Sequence, residues 1–165
     1  MIDKIKTGEE IEAIVRKLKA HGEIVVTTNG SFDILHSAHL HLLKKAKREG
    51  DILIVLLNSD SSIRRNKGDK RPIVPEDERA KMLAGLETVD YVVVFEEDKP
   101  LKLLEQIKPD VHVKGGSVDP ERLKEEVAFI ESLGGKHKHF ELEEGFSTTN
   151  IINRILESYN GKDSN

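Results

Sequence analysis

Apolar and polar positions fall into short blocks along this chain, each with the period of one structural element. Thr7-Gly-Glu-Glu10 fits a capping box, which predicts a helix running to about Ala20. Ile24 to Thr28 reads as a strand. Ser37 to Glu49 is an amphipathic helix closed by Gly50. Ile52-Leu-Ile-Val-Leu-Leu57 is apolar without interruption, as in a central parallel strand buried on both faces. A polar, basic loop is expected from Asn58 to Val74. Pro75 opens the next helix at its first position, and Glu76, Asp77 and Glu78 suit the positive end of its dipole. Tyr91 to Phe95 is a third strand, Pro100 to Ile107 a helix, and Val111-His-Val113 a short strand before Lys114-Gly-Gly116. Asp119-Pro-Glu-Arg122 caps a helix ending near Gly134-Gly135, and His137 to Leu142 makes a fifth strand. Ser147 to Ser158 is a last helix with Ile151, Ile152 and Ile155 available for packing.

Strand and helix alternate throughout, which predicts a doubly wound parallel α/β sheet of about five strands. No linker, repeat or composition break divides the chain. One domain over residues 1–165 is expected, with a core at about 23–158 and a polar tail at 160–165. In such sheets ligands gather beyond the carboxyl ends of the strands. The loops Asn29–His36, Asn58–Val74, Lys114–Ser117 and Glu143–Ser147 all follow strands, so candidate chemistry is sought there.

Composition narrows the function classes. With 165 residues, 37% hydrophobic and 34% charged, the chain can build one real core and reads as a soluble protein. A net charge of −4 offers no global attraction to nucleic acid or to anionic membranes. Cysteine is absent, which removes disulfides, a thiol nucleophile and thiolate-bound zinc. No signal-peptide core and no apolar run of spanning length is present, so a cytoplasmic location is expected. GxxxxGK[ST], GxGxxG, GxSxG and HExxH are all missing.

The chemistry concentrates in Thr28-Asn-Gly-Ser-Phe-Asp-Ile-Leu-His-Ser-Ala-His39. Three residues apart at a helix start, His36 and His39 share a face. They sit where N–H groups and the dipole favour an anion. Their expected work is to donate hydrogen bonds to a phosphoryl group as charge builds on it. His41 falls off that face, and Lys44, Lys45 and Lys47 read as a solvated one. Gly145-Phe-Ser-Thr-Thr149 is a second candidate, in which Ser147, Thr148 and Thr149 are expected to cradle phosphate at the last helix start, the plainer alternative being a Ser N-cap. From the basic loop Arg64 to Arg71, Lys67 and Arg71 are expected to close over a triphosphate, with Arg79 as a third cation. Lys114, Gly115 and Gly116 let the backbone approach a ligand. Asp33 either orients a histidine or a substrate hydroxyl, or bonds the backbone of its own loop. His112, His137 and His139 lack ligand-like spacing with a carboxylate and receive no role.

These segments together resemble the cytidylyltransferase-like nucleotidyltransferase superfamily. They include Asn29 to His36, Asn58-Ser-Asp60, Ile63-Arg-Arg65, Lys67-Gly68, Arg71-Pro72, Glu78-Arg79, Val89-Asp90, Phe95 to Asp98, Lys114-Gly-Gly116 and Ser147-Thr-Thr149. The nearest likeness is to the D-glycero-D-manno-heptose 1-phosphate adenylyltransferase domain, over roughly Thr27 to Ile155. The resemblance implies a Rossmann-like three-layer α/β/α fold, often dimeric. It also implies attack of a sugar 1-phosphate on the α-phosphorus of ATP, with Mg²⁺ carried on the phosphates and no protein metal site. Asn29, Ser31, Phe32, His36, Ala38, His39, Lys114, Gly115 and Ser147 to Thr149 would then bind nucleotide. His36, His39, Lys67 and Arg79 would act in catalysis, and Asp33, Asn58 and Arg71 would bind substrate. Bifunctional relatives carry a sugar kinase ahead of this domain, so here a separate kinase is expected to supply the acceptor.

Three positions depart from the family pattern. Ala38 stands in place of glycine, and its methyl is expected to crowd the ligand. Ser31 replaces a cysteine, and Ser117-Val118 replaces an Asp-Tyr pair. Two other readings follow: a CTP-dependent cytidylyltransferase acting on glycerol 3-phosphate or a similar alcohol phosphate, and a catalytically weak nucleotide-binding sensor.

Overall fold

A computed structural model describes residues 2–116, 120–141 and 147–160. After a short 3₁₀ turn come β1 (Ile5–Lys6), α1 (Gly8–Ala20), β2 (Val25–Gly30), α2 (Ser37–Lys47) and β3 (Ile52–Asn58). Then follow α3 (Asp60–Lys67), α4 (Glu76–Ala84), β4 (Tyr91–Phe95), α5 (Leu101–Ile107) and β5 (Val111–Gly115). The described chain finishes with α6 (Pro120–Ser132), β6 (Lys136–Phe140) and α7 (Thr148–Asn160). All six strands are parallel, in the order β1-β4-β3-β2-β5-β6. From β2 the chain works outward through β3 to β4, then returns across β2 to β5 and β6. That reversal makes the crevice between the ends of β2 and β5 the place for a ligand.

The pleat sorts the core into two layers. Leu53, Val55 and Leu57 of β3 face Leu42, Leu43 and Ala46 of α2 and Leu83 of α4. Ile54 and Leu56 face the other way, toward Ile11 and Val15 of α1, Leu104 of α5 and Ile130 of α6. Every residue from Leu53 to Leu57 is fully buried, which explains the unbroken apolar run. Three carboxylates pin the start of the sheet. Asp51 accepts from Ile24 N at 2.8 Å, Asp90 from Leu53 N at 2.7 Å and Asp110 from Val25 N at 2.8 Å. Each carboxylate closes one strand onto its neighbour and sets the register there.

Three expectations are corrected. The sheet has six strands rather than five, because Ile5 and Lys6 pair with Val92 and Val93. Two residues are too short a run to show a period. The expected loop Asn58–Val74 contains α3, capped by the Ser59 hydroxyl, which accepts from Ser62 N at 3.1 Å. Among its apolar residues only Ile63 is buried, so no 3.6-residue pattern marked it. Cap and dipole support it instead, with Asp60 in its first turn and Arg64, Arg65 and Lys67 in its last. Pro75 and Pro100 occupy helix caps rather than first helical positions. Gly145, Phe146, Ser117, Val118 and Asp119 lie outside the described residues.

A Cβ on Gly115 would stand 2.5 Å from Leu42 Cδ2, so this glycine lets α2 pack on β5. Gly115→Ala is therefore expected to cost about 1–3 kcal/mol through overpacking. Urea unfolding would report it as a lower midpoint with an unchanged m value.

Candidate active site

β2 ends at Gly30, and the chain turns through Ser31 to Leu35 before α2 begins. A Cβ on Gly30 would press on the Phe32 ring at 3.0 Å. Phe32 itself takes φ of +43°, a left-handed conformation that costs a side-chain residue about 1–2 kcal/mol. Its ring is buried in the layer under α2 and lies 5.1 Å from the His39 ring, which offsets that strain.

His36 caps α2 in extended backbone (φ −143°, ψ 172°), and its side chain makes no capping bond. His39 N already donates to His36 O at 3.0 Å, so the amides that no side chain caps and that face an anion are those of Ser37 and Ala38. His36 and His39 stack with ring centroids 3.8 Å apart and 24° between their planes. The Nδ1 atom of each is buried without a hydrogen-bond partner among the described residues. Burial lowers the His36 imidazole below its ordinary value. Burial, then His36, then the Lys67 ammonium push His39 down to about 4. Both rings are thus neutral near pH 7, each with unspent hydrogen-bonding capacity.

Across from the histidines, cations are ordered by internal acceptors. Lys67 is an exposed residue whose ammonium turns inward to donate to Ser31 Oγ at 2.7 Å. Burial of that end and the nearby Arg71 lower its pKa, against the pull of Asp33. Arg71 Nε donates to Asp33 Oδ2 at 2.6 Å. Asp33 Oδ1 accepts from Ile73 N at 2.8 Å and Val74 N at 2.9 Å. Asp33 is buried and both its oxygens are spent, so it holds Arg71 and the 71–74 loop rather than a substrate hydroxyl.

Arg79 is also corrected. It is 1% exposed and donates to Val74 O (2.9 Å), Ser31 O (2.6 Å), Asn58 O (2.9 Å) and Asp60 Oδ1 (2.7 Å). With its guanidinium committed to protein, it positions the loops and cannot itself reach phosphate. Asn58 likewise gives its carbonyl to Arg79, and its amide donates to Ser62 Oγ at 3.0 Å.

Lys114 turns its ammonium to Asn29 Oδ1 at 2.8 Å and lies 3.5 Å from Glu126 Oε2, away from the role of a free phosphate ligand. Ala38 is 1% exposed, so protein already covers its methyl and the expected crowding of a ligand is corrected. Gly115 answers to Leu42, as above, and Gly116 adopts φ of +89°. Asn29, Ser31, Phe32, Asp33, His36, Ala38, His39, Asn58, Lys67, Arg71, Arg79 and Lys114 therefore converge on the ends of β2, β3 and β5. Ser147 Oγ accepts from Asn150 N at 3.1 Å, a helix cap. Among the described residues no hydrogen bond joins Ser147, Thr148 or Thr149 to the histidines. His41 is exposed, as expected.

Sequence reasoning missed Glu126, which sits between His112, His137 and Lys114. The available signal was the alternation of His112 with Lys114 and of His137 with His139, which puts each pair on one sheet face.

The depressed His39 also sets a pH dependence. The unfolded chain takes up a proton near 6.5 and the folded chain only near 4, so acid favours unfolding. Stability from this residue is complete above 6.5 and falls away between 6.5 and about 4, by up to roughly 3 kcal/mol. Chemical unfolding at pH 7 and pH 4.5 should show a smaller difference for His39→Gln than for the parent chain.

A family profile described as cytidylyltransferase-like matches residues 27–154. "Bifunctional protein HldE" of Geobacter metallireducens is 49% identical over 94% of this chain and 32% of the relative. "Bifunctional protein HldE" of Helicobacter pylori strain Shi470 is 51% identical over 91% of this chain and 31% of the relative. The chain thus spans about a third of the length of these curated relatives. A solved lipopolysaccharide core biosynthesis protein from Thermoplasma volcanium superposes with a TM-score of 0.62 at 33% identity, covering 76% of this chain and 100% of that one. Pantoate-beta-alanine ligase from Francisella tularensis, complexed with beta-gamma ATP and beta-alanine, superposes at 0.66 over 93% of this chain and 77% of its own. At 17% identity that neighbour shares the fold alone. No helix among the described residues is long and apolar enough to cross a membrane. With its Rossmann-like parallel sheet, its histidine pair at the β2–α2 turn and the profile match over most of its length, the chain belongs to the cytidylyltransferase-like family of nucleotidyltransferases.

Proposed function

We propose that this protein transfers AMP from ATP to a heptose 1-phosphate, yielding an ADP-sugar and pyrophosphate. The observation that carries the reading is the stacked His36–His39 pair, with two buried, unpartnered nitrogens at the N-terminus of α2. Lys67 and Arg71 stand beside it, held in place by Ser31 and Asp33. A phosphate oxygen of the sugar attacks the α-phosphorus, the bond from that phosphorus to the β-bridging oxygen breaks, and pyrophosphate leaves. No covalent bond to protein forms. His36 and His39 donate to phosphoryl oxygens as charge shifts toward the leaving group, and the α2 amides add fixed positive potential. Lys67 and Arg71 neutralise the departing pyrophosphate. Ser147 to Thr149 hold the far end of the triphosphate.

Among the described residues no three His, Asp or Glu side chains cluster as a cation cage. The reading puts Mg²⁺ on the phosphate oxygens of ATP, where it would lower their charge. Heptose is favoured by the likeness of the Asn58–Gly116 run. On this reading the acceptor is supplied by a sugar kinase reaction. Homodimerisation belongs to the same reading. It is supported by Ile155, Leu156 and Tyr159 on α7, which are 49%, 51% and 70% exposed. The buried methyl of Ala38 removes the ground for a catalytically weak sensor.

Pyrophosphate release with Mg²⁺ tests the reading, crossing ATP and CTP with heptose 1-phosphates, hexose 1-phosphates and glycerol 3-phosphate. Release is expected with ATP and a heptose 1-phosphate, falling roughly 10²–10³-fold in His36→Ala. Release with CTP alone would move the protein to cytidylyl transfer to an alcohol phosphate.

A further inference from the structure

Beneath α6 the sheet carries a polar layer that phosphate chemistry does not use. Parallel pairing sets His112 beside Thr27 on one side and His137 on the other. Alternation places Asn29 and Lys114 on that same face, one pleat nearer the crevice. Glu126 projects into this layer one turn before Ile130, which is fully buried, so the carboxylate occupies a core position of α6. Its Oε1 lies 3.2 Å from His137 Nε2 and 3.3 Å from His112 Nε2, and its Oε2 lies 3.5 Å from Lys114 Nζ. The His112 approach is off the hydrogen-bond line and acts as a charge–dipole contact, because Nε2 counts as unpartnered by direction. His112 Nδ1 meets Thr27 Oγ1 at 2.7 Å.

A charge in this position is costly unless it is compensated. Burial opposes ionisation of Glu126, but His112, His137 and Lys114 overcome it and hold the carboxyl below the usual range. Burial keeps His112 neutral against the pull of Glu126. The Lys114 ammonium, 3.5 Å away, is an ionic partner of Glu126 in this layer. An apolar side chain would have filled the site at less cost, so the carboxylate is there for what it holds. Lys114 donates to Asn29 Oδ1 at 2.8 Å. An ammonium can only donate, so the Asn29 amide must turn its oxygen to Lys114 and its NH₂ group away. Asn29 stands two residues before Ser31, at the mouth of the crevice between β2 and β5.

We propose that Glu126 is a positioning residue for nucleotide binding: through Lys114 it fixes the Asn29 amide so that its NH₂ group donates to the nucleotide in the crevice. This rests on the nucleotidyl-transfer reading above. The histidines serve the relay by satisfying the second carboxylate oxygen, which leaves Oε2 for the lysine.

The test is binding of Mg·ATP by calorimetry, with KM and kcat for pyrophosphate release, in Glu126→Gln, Lys114→Met, Asn29→Ala and the two doubles with Asn29→Ala. Each single variant should weaken ATP about tenfold, the worth of one lost hydrogen bond. KM should rise with kcat within about threefold. Each double should be no weaker than Asn29→Ala alone. Urea unfolding on the same samples separates folding from binding, and Lys114→Met breaks the relay if Glu126→Gln does not fold. Unchanged ATP affinity in folded Glu126→Gln or Lys114→Met would overturn the relay. So would doubles that lose a further tenfold. Those results would leave nucleotidyl transfer standing, whereas a parent chain that binds neither ATP nor CTP would end both readings.

Discussion

One buried guanidinium holds the site together. Arg79 ties the carbonyl of Ser31 on the histidine loop, that of Asn58 at the end of β3, that of Val74 before α4, and the Asp60 carboxylate at the start of α3. The β2–β3 ladder ends at the Gly30–Leu57 pair, and the bonds from Arg79 carry the connection beyond it to Val74 and to the start of α3. A planar fork of fixed donors suits that task, since it sets angles as well as distances. An unpaired guanidinium at 1% exposure would be severely penalised, and so the four acceptors and the arginine constrain one another.

Around that hub the charges are divided by role. Asp33 spends both oxygens on Arg71 and the 71–74 backbone, which delivers one guanidinium and, through Ser31, one ammonium to the rim of the crevice. The histidine pair opposite stays uncharged, because desolvation lowers both rings and His36 and Lys67 lower His39 further. The result is a crevice rich in donors with few acceptors pointing into it, the arrangement a polyanion needs. A second buried ionic layer, under α6, meets the first through the Lys114–Asn29 bond.

Some features proved to serve packing where ligand binding was expected. Gly115 yields space to Leu42, and the methyl of Ala38 is covered by protein. Arg79 and Asp33 carry charge of the right sign at the right place, yet their charge is consumed internally. Residue type and position in a loop do not reveal whether a polar group is already satisfied; only its neighbours do.

The alternation of apolar and polar blocks was enough for the parallel α/β architecture and for placing His36 and His39 together at a helix start. These rest on local period and on spacing along one helix, which a sequence displays directly. Strand β1 and helix α3 escaped it, one for being two residues long and the other for being held by its Ser59 cap rather than by an apolar face. Contacts between residues far apart in the chain were decided by the tertiary structure alone. Glu126 joins His112 and His137 across separate elements, Lys114 reaches Asn29 on a neighbouring strand, and Arg79 collects carbonyls from three segments. Such partnerships depend on register and helix docking, which bring side chains within 3–4 Å without leaving any periodic trace in the order of residues.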